Sequence, residues 1–177
     1  KEHAPPIDGN FSYLEESDIV VRRIILSRNR DYDYGESQLA IECNGVVLDA
    51  ETWNILAMPP RAFSTCNIEY VDTELADGNY EFTKIIDGTM VTLYNWEHTT
   101  GSIWCISTSN GYDVSHLKWM GPKSYAELVF EALNKCPGFT EEYGMKMVDN
   151  RLCPGDTRLD CENLNPEFSY SFAFRSH

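Results

Sequence analysis

The most informative stretch of this sequence is Tyr80-Glu-Phe-Thr-Lys-Ile-Ile-Asp-Gly-Thr-Met-Val-Thr-Leu-Tyr94. Its first residues, Tyr80 to Thr83, favour a pleated strand, and Met90 to Tyr94 favour the next one. An Asp-Gly pair between two such runs is typical of a turn, because glycine accepts a positive φ and aspartate bonds the local backbone. The pattern predicts a hairpin that holds Lys84 at the end of a rigid strand.

A lysine held in this way can act as a covalent nucleophile if burial or neighbouring cations lower its pKa. The alternative is a surface lysine before an ordinary hairpin turn. By average composition, K-x-x-D-G arises by chance in about one chain of this length in twenty-five. The rest of the sequence must therefore decide between the two interpretations.

Length and composition indicate one globular domain. The 177 residues can bury a substantial core, and the 42% hydrophobic content with 12% aromatic residues excludes a disordered chain. No apolar run is long enough to span a bilayer, so we expect no membrane partner. The N-terminus does not begin with Met and has no signal-peptide core, which predicts a cytoplasmic fragment or processed product.

The charge of the chain opposes a general attraction to nucleic acid. Lys and Arg number 14 against 28 Asp and Glu, a formal net charge of −14. Arg22, Arg23, Arg28 and Arg30 nevertheless cluster in one short stretch. This cluster predicts either a local basic patch for RNA or a solvated strand-and-turn face.

The six cysteines form no C-x-x-C pair, which argues against a zinc cluster, and we assign no metal ligands. Cys43 and Cys105 lie in apolar runs and are predicted to be small buried residues in a protein from a reducing compartment.

The order of elements predicts an α+β domain built on antiparallel sheet. Residues 1–17 form an extended lead-in, and residues 18–177 form the domain. One helix is predicted from Pro122 or Ser124 to Lys135, since Ser124 and Glu127 make a capping box, and a shorter one over residues 141–147. Residues 38–43 and 46–49 are apolar segments around a turn or bulge signal at Asn44-Gly45. The predicted strands cover residues 18–27, 53–58, 80–83, 90–96, 102–107 and 169–174.

Five sequence blocks in this order resemble the front half of a covalent nucleotidyltransferase domain, closest to the RNA ligase 1 type of phages and large viruses. Residues 43–49 resemble the family's R-G-I-V-F block, and residues 53–63 its R-P-x-x-K-F segment. Residues 84–89 resemble the nucleophile motif K-x-D-G-S/T with one extra residue. Residues 104–111 resemble the strand and turn that follow, and residues 170–174 the strand that carries a nucleotide-contacting Glu. The resemblance covers residues 19–177.

The resemblance implies an incomplete antiparallel-sheet nucleotidyltransferase fold, an ATP-grasp-like ligase adenylation domain. It also implies an ATP-dependent RNA ligase. A lysine amine attacks the α-phosphorus of ATP and expels pyrophosphate, which leaves lysine–AMP. The AMP passes to an RNA 5′-phosphate, from which a 3′-hydroxyl displaces it. The implied cofactors are ATP and Mg²⁺, and the implied partners are RNA ends with a 5′-phosphate and the remaining part of the same polypeptide.

The implied site residues follow from the matching blocks. Lys84 is the nucleophile, and Asp87 orients the turn, because a nearby carboxylate would raise the lysine pKa. The implied nucleotide-binding residues are Lys84 and Gly88, with Arg61 as a cation and Phe63 and Thr83 as walls of the adenine pocket. Phe82 belongs to the same expected wall, with Val46 and Val47 behind it. All these residues could equally lie in the core, and for the two valines the core is the favoured interpretation.

The chain also departs from the family pattern. Asn44 stands where the family has Arg, Ala62 where it has Lys, and Ala173 where it has Glu. The downstream blocks with an E-G pair and K-x-K are absent, so much of the electrostatic stabilisation of phosphate transfer is missing. Two alternatives to an RNA ligase therefore stay open. One is an mRNA-capping guanylyltransferase that uses GTP, and the other is an inactive structural or interaction domain that keeps the fold.

Overall fold

The computed structural model describes residues 9–10, 15–16, 19–20, 23–26, 42–60, 88–98, 101–118 and 121–175. The two helices in these residues are α1 (Tyr125–Leu133) and α2 (Phe139–Glu142). The strands are β1 (Gly9–Asn10), β2 (Glu15–Glu16), β3 (Ile19–Val20), β4 (Arg23–Leu26), β5 (Val46–Asp49), β6 (Ile55–Ala57), β7 (Thr89–His98), β8 (Gly101–Ser107), β9 (Met145–Asp149), β10 (Thr157–Cys161) and β11 (Tyr170–Phe174).

A three-stranded antiparallel sheet in the order β11-β7-β8 forms the centre of the fold, and we call it the central sheet. The hairpin β7–β8 runs from the pair Thr92 and Ser107 to the pair His98 and Gly101. On the other side, β7 pairs with β11 from Thr89 opposite Phe174 to Leu93 opposite Tyr170. Because side chains alternate along a strand, the central sheet has two faces, and both are covered.

The first face packs against α1 and the hairpin β9–β10. Val91 and Leu93 from β7 share one buried cluster with Ala126 and Val129 from α1 and Leu159 from β10. The helix begins where the sequence predicts, since Ser124 caps it and the Glu127 side chain accepts a hydrogen bond from the Ser124 backbone.

The second face packs against a four-stranded sheet in the order β1-β4-β5-β6. Tyr94 and Trp96 from β7 share a second buried cluster with Ile25, Val47 and Ala57 from that sheet. Antiparallel sheets with short helices thus confirm the predicted α+β class. No helix within the described residues is both long and apolar enough to cross a membrane.

Three sequence predictions about elements were wrong in part. Within residues 18–27 the structure describes two strands and not one, since β3 pairs with β2 whereas β4 pairs with β1 and β5. The helix predicted over residues 141–147 is the short α2, since Gly144 has a φ of +59° and Met145 already starts β9. Strand β10 was missed, because the charged Arg158 is buried beside Leu159 and the sequence therefore does not alternate between apolar and polar residues. The predicted strand 80–83 and loop 28–37 lie outside the described residues.

Candidate active site

Most of the predicted site residues lie outside the part of the chain that the structure describes. These residues are Lys84, Asp87, Arg61, Phe63 and Thr83. Their roles stay predictions. The structure describes Gly88 and some residues from each of the five sequence blocks.

Gly88 lies directly against the end of β11. A Cβ atom at this position would overlap the carbonyl oxygen of Phe174, so only glycine fits without a shift of the backbone. Gly88 does not have a positive φ, and the conformational reason given by the sequence for a glycine here was therefore wrong. The close approach of two backbones is the actual reason. It joins the end of the nucleophile block to the last block, residues 170–174.

The other three blocks meet at Gly45. With a φ of +87°, Gly45 turns the chain into β5, and a Cβ atom on it would lie 3.1 Å from Cγ of Pro59 and 3.4 Å from Cα of Ser109. Ser109 follows β8 by two residues. Since Ser107 pairs with Thr92, Ser109 lies at the same end of the central sheet as Met90.

Strand β11 connects these two groups of blocks. Just before it, the backbone N–H of Met58 donates to Oγ of Ser169 at 3.2 Å. Within it, the hydroxyls of Ser171 and Thr92 are hydrogen-bonded at 2.8 Å. The described residues of the five blocks thus lie around the end of the central sheet that holds Met90, Ser109 and Ala173, which we call the open end.

The open end is exposed at the position where the resemblance places a nucleotide-contacting Glu. Ala173 pairs with Met90, and both residues are exposed. Ala173 offers no carboxylate or hydrogen-bonding side chain to a ligand. Val46 and Val47 are buried at 4% and 0% exposure, which agrees with their alternative interpretation as core residues.

A buried charged cluster lies further along the same face. Arg23 donates to the Tyr94 hydroxyl at 2.8 Å and to Sγ of Cys105 at 3.1 Å, and its guanidinium lies 4.3 Å from the ring centroid of Trp96. Arg23 is only 3% exposed. The interpretation of Arg23 as part of an exposed basic patch for RNA was therefore wrong. Arg22, Arg28 and Arg30 lie outside the described residues.

Asp113 neutralises part of the charge in this cluster. Its carboxylate accepts hydrogen bonds from Arg158 at 2.9 Å and from the Ser115 hydroxyl at 2.6 Å, and Arg23 lies 3.6 Å away. Burial raises the pKa of the Asp113 carboxyl, but the guanidinium groups of Arg158 and Arg23 outweigh burial and hold that pKa below its ordinary value. The cluster thus contains two cations and one anion.

Cys105 completes the cluster as a neutral thiol. Arg23 and Arg158 both donate to its sulfur, at 3.1 and 3.2 Å. Burial nevertheless raises the pKa of the thiol, with Asp113 adding to the effect and the two guanidinium groups opposing it. Because Cys105 has 0% exposure, it cannot reach a substrate, and we assign the cluster to the architecture below the open end.

The sequence contains a signal for only part of this cluster. Arg23 lies in a β-branched run on the same side of the strand as Ile25, which indicates an inward direction. Asp113 and Arg158 are distant in sequence, and no local pattern pairs them. Within the described residues, no group of three or more His, Cys, Asp or Glu side chains could hold a metal ion.

The chain is similar in sequence to several proteins of African swine fever virus. A protein named "Putative RNA-ligase" from the South African Pretoriuskop tick isolate of African swine fever virus is 39% identical over 158 residues. Proteins of the same name from the Vero-adapted Badajoz strain and from a Malawi tick isolate are 39% and 37% identical over 158 residues. No family model matches the chain, and no solved structure matches it.

The similarity covers 89% of this chain but only 34% of each relative. The chain thus spans about a third of the length of the curated relatives it matches. It is similar to a set of viral proteins that carry the name of RNA ligases.

Proposed function

We propose that this chain is part of an ATP-dependent RNA ligase-type adenylyltransferase with the nucleotidyltransferase fold. The observation that carries the proposal is the 39% identity over 158 residues to a viral protein named "Putative RNA-ligase". The contacts among the described residues of the five sequence blocks support it, because a reaction site requires its parts to meet in space. Because the relatives are viral proteins, we also propose that the activity belongs to the cytoplasm of a virus-infected cell, with RNA repair as the role.

In this proposal Lys84 is the nucleophile. Its nitrogen forms a bond to the α-phosphorus of ATP while the bond to the pyrophosphate oxygen breaks, and the departing amine proton passes to solvent. Lys84 and Gly88 are four positions apart in the sequence, so their Cα atoms lie within about 14 Å of each other. The nucleophile is therefore tethered to a glycine packed against β11. Arg61 would supply a cation for the triphosphate, and Phe63 and Thr83 would contact adenine.

Mg²⁺ belongs to this proposal as an expectation from the resemblance. It would offset the charge of the triphosphate oxygens. Since the described residues gather no set of three ligands for a metal, we assign no side chain of this chain to it.

Labelling with α-³²P ATP tests the proposal. We expect label on the wild-type protein, none on Lys84→Ala, and normal labelling of Lys118→Ala, which changes an exposed lysine away from the five blocks. Unlabelled GTP and ATP added as competitors separate the ligase from the guanylyltransferase. Label that survives Lys84→Ala would exclude the proposed nucleophile. Because relatives are longer, the assay is run on the chain and on the longest polypeptide that contains it.

A non-catalytic domain that keeps the fold is the second candidate. The observation in its favour is the exposed Ala173 at the open end, together with Asn44 in place of a fixed cation. The measurement that separates the two candidates is the thermal unfolding midpoint with and without ATP. A midpoint that does not move at saturating ATP concentrations favours the non-catalytic domain.

A further inference from the structure

A groove of about 470 Å³ lies on the first face of the central sheet, next to Gly88. Helix α1 contributes Tyr125, Leu128 and Ala132 to its lining, and the central sheet contributes Val91 and Phe174. Leu128 is 36% exposed although its side chain is apolar. The volume lies within the range of about 300–1,000 Å³ that is typical of small-ligand sites.

Two cationic side chains line the same groove. Lys135 follows the C-terminus of α1, Arg175 follows the C-terminus of β11, and both are exposed. Within the described part of the chain, neither forms an ion pair. The acidic residue in the lining, Glu131, is already paired with Lys123 at 2.5 Å. The groove is therefore locally positive in a chain whose formal net charge is −14.

We propose that this groove binds single-stranded RNA, with backbone phosphates at Lys135 and Arg175 and a base against Tyr125 and Leu128. Charge complementarity favours a polyanion, and an aromatic ring beside cations is the combination that single-stranded nucleic acid requires. The inference rests on the proposed function, because Gly88 in the lining is four residues from Lys84 and an RNA strand in the groove would end near the nucleophile.

The groove and the open end lie on opposite faces of the central sheet. Val91 and the rings of Phe172 and Phe174 belong to the buried cluster on the first face. Met90 and Ala173, at the open end, alternate with these residues along the two strands and belong to the second face. Gly88, which the resemblance also implies as a nucleotide-binding residue, lines the groove.

Fluorescence anisotropy with a short, labelled, 5′-phosphorylated single-stranded RNA tests the inference in the absence of ATP. The double variant Lys135→Ala/Arg175→Ala is compared with Lys118→Ala/Arg151→Ala, which removes the same charge from exposed positions outside the groove. A single variant, Leu128→Ala, removes an apolar contact without a change of charge. Circular dichroism confirms that every variant keeps the wild-type fold before its affinity is compared.

We expect the groove variant to bind RNA about 25-fold more weakly at 0.1 M salt, because each lost phosphate contact removes about 0.7 from the slope of log K against log salt. The slope should fall by about 1.4 for the groove variant and stay at the wild-type value for the control. Leu128→Ala should weaken binding with no change of slope. An equal slope for groove and control variants, or a wild-type protein that binds no RNA, overturns the inference.

Three further outcomes also test the RNA-binding inference. Competitive displacement of the RNA by ATP, or tighter binding of an acidic peptide than of RNA, would overturn the inference, since the groove would then be a nucleotide or a protein site. Groove-dependent RNA binding by a wild-type protein that ATP never labels would support the inference and contradict the proposed ligase chemistry. The experiments therefore distinguish a failure of the RNA-binding inference from a failure of the proposed ligase chemistry.

Discussion

Replacement of Asp113 by Asn should destabilise the fold more than any other single change of charge that the described residues offer. The substitution keeps the shape of the side chain and removes its charge. Asp113 accepts hydrogen bonds from Arg158 at 2.9 Å and from Ser115 at 2.6 Å, and Arg23 lies 3.6 Å away. Without the carboxylate, two buried guanidinium groups face each other with no anion between them.

The expected loss in the free energy of unfolding is about 3–5 kcal/mol, the usual cost of an uncompensated buried charge. A domain of this size has a total stability of about 5–15 kcal/mol, so the loss is a large fraction of it. The matched control is Glu131→Gln, which breaks the exposed pair of Glu131 and Lys123, with side chains 49% exposed on both partners. Exposed pairs contribute about 0–1 kcal/mol, and the control should unfold almost like the wild type.

Urea unfolding followed by circular dichroism measures the free energy of unfolding of both variants. Since the folded-state pKa of Asp113 is lowered, its contribution is present above the unfolded-state pKa of about 3.9 and is lost as the pH falls through the folded-state pKa. The difference between wild type and Asp113→Asn should therefore shrink in acid. A loss below about 1 kcal/mol at neutral pH would refute the assignment of this cluster to stability.

Three further changes test other parts of the structure. Gly88→Ala should cost about 1–3 kcal/mol in urea unfolding, because the new Cβ overlaps the carbonyl oxygen of Phe174; an unchanged midpoint would contradict that contact. Ser124→Ala should cost about 1 kcal/mol by the same assay, because the capping box at α1 is lost, and a neutral result would show that the cap contributes nothing. In the folded protein a thiol reagent should modify the exposed Cys136 and leave Cys105 intact, since Cys105 is buried and burial raises its pKa; rapid modification of Cys105 would contradict its burial.

The sequence predicted those parts of the fold that local patterns determine. The hairpin β7–β8, the strand β11 and the capping box of α1 all follow from alternation or from capping chemistry within a few residues. Local patterns did not predict the features that depend on contacts between residues distant in sequence. Strand β10 places Arg158 in the core, and its burial depends on Asp113, which is 45 residues away in sequence.

The candidate site also has features that the sequence predicted and features that depend on tertiary contacts. The order of the five blocks supported the resemblance, and the contacts of Gly45, Gly88 and Ser169 show that described residues in or next to these blocks touch one another. The reason for Gly88 was not visible in the sequence, because it depends on the backbone of a strand 86 residues later. The groove beside α1 was also not predicted, since its two cations come from different elements.

Peptide mapping by mass spectrometry after incubation with ATP and Mg²⁺ tests whether Lys84 forms a covalent bond to AMP. We expect an AMP adduct on the peptide that contains Lys84 and no adduct in Lys84→Arg, because a guanidinium stays protonated and cannot attack phosphorus. The folded fraction of Lys84→Arg, measured by circular dichroism, serves as the control. An adduct on a different residue, or its absence from a folded wild-type protein that spans the full length of its relatives, would exclude Lys84 as the nucleophile.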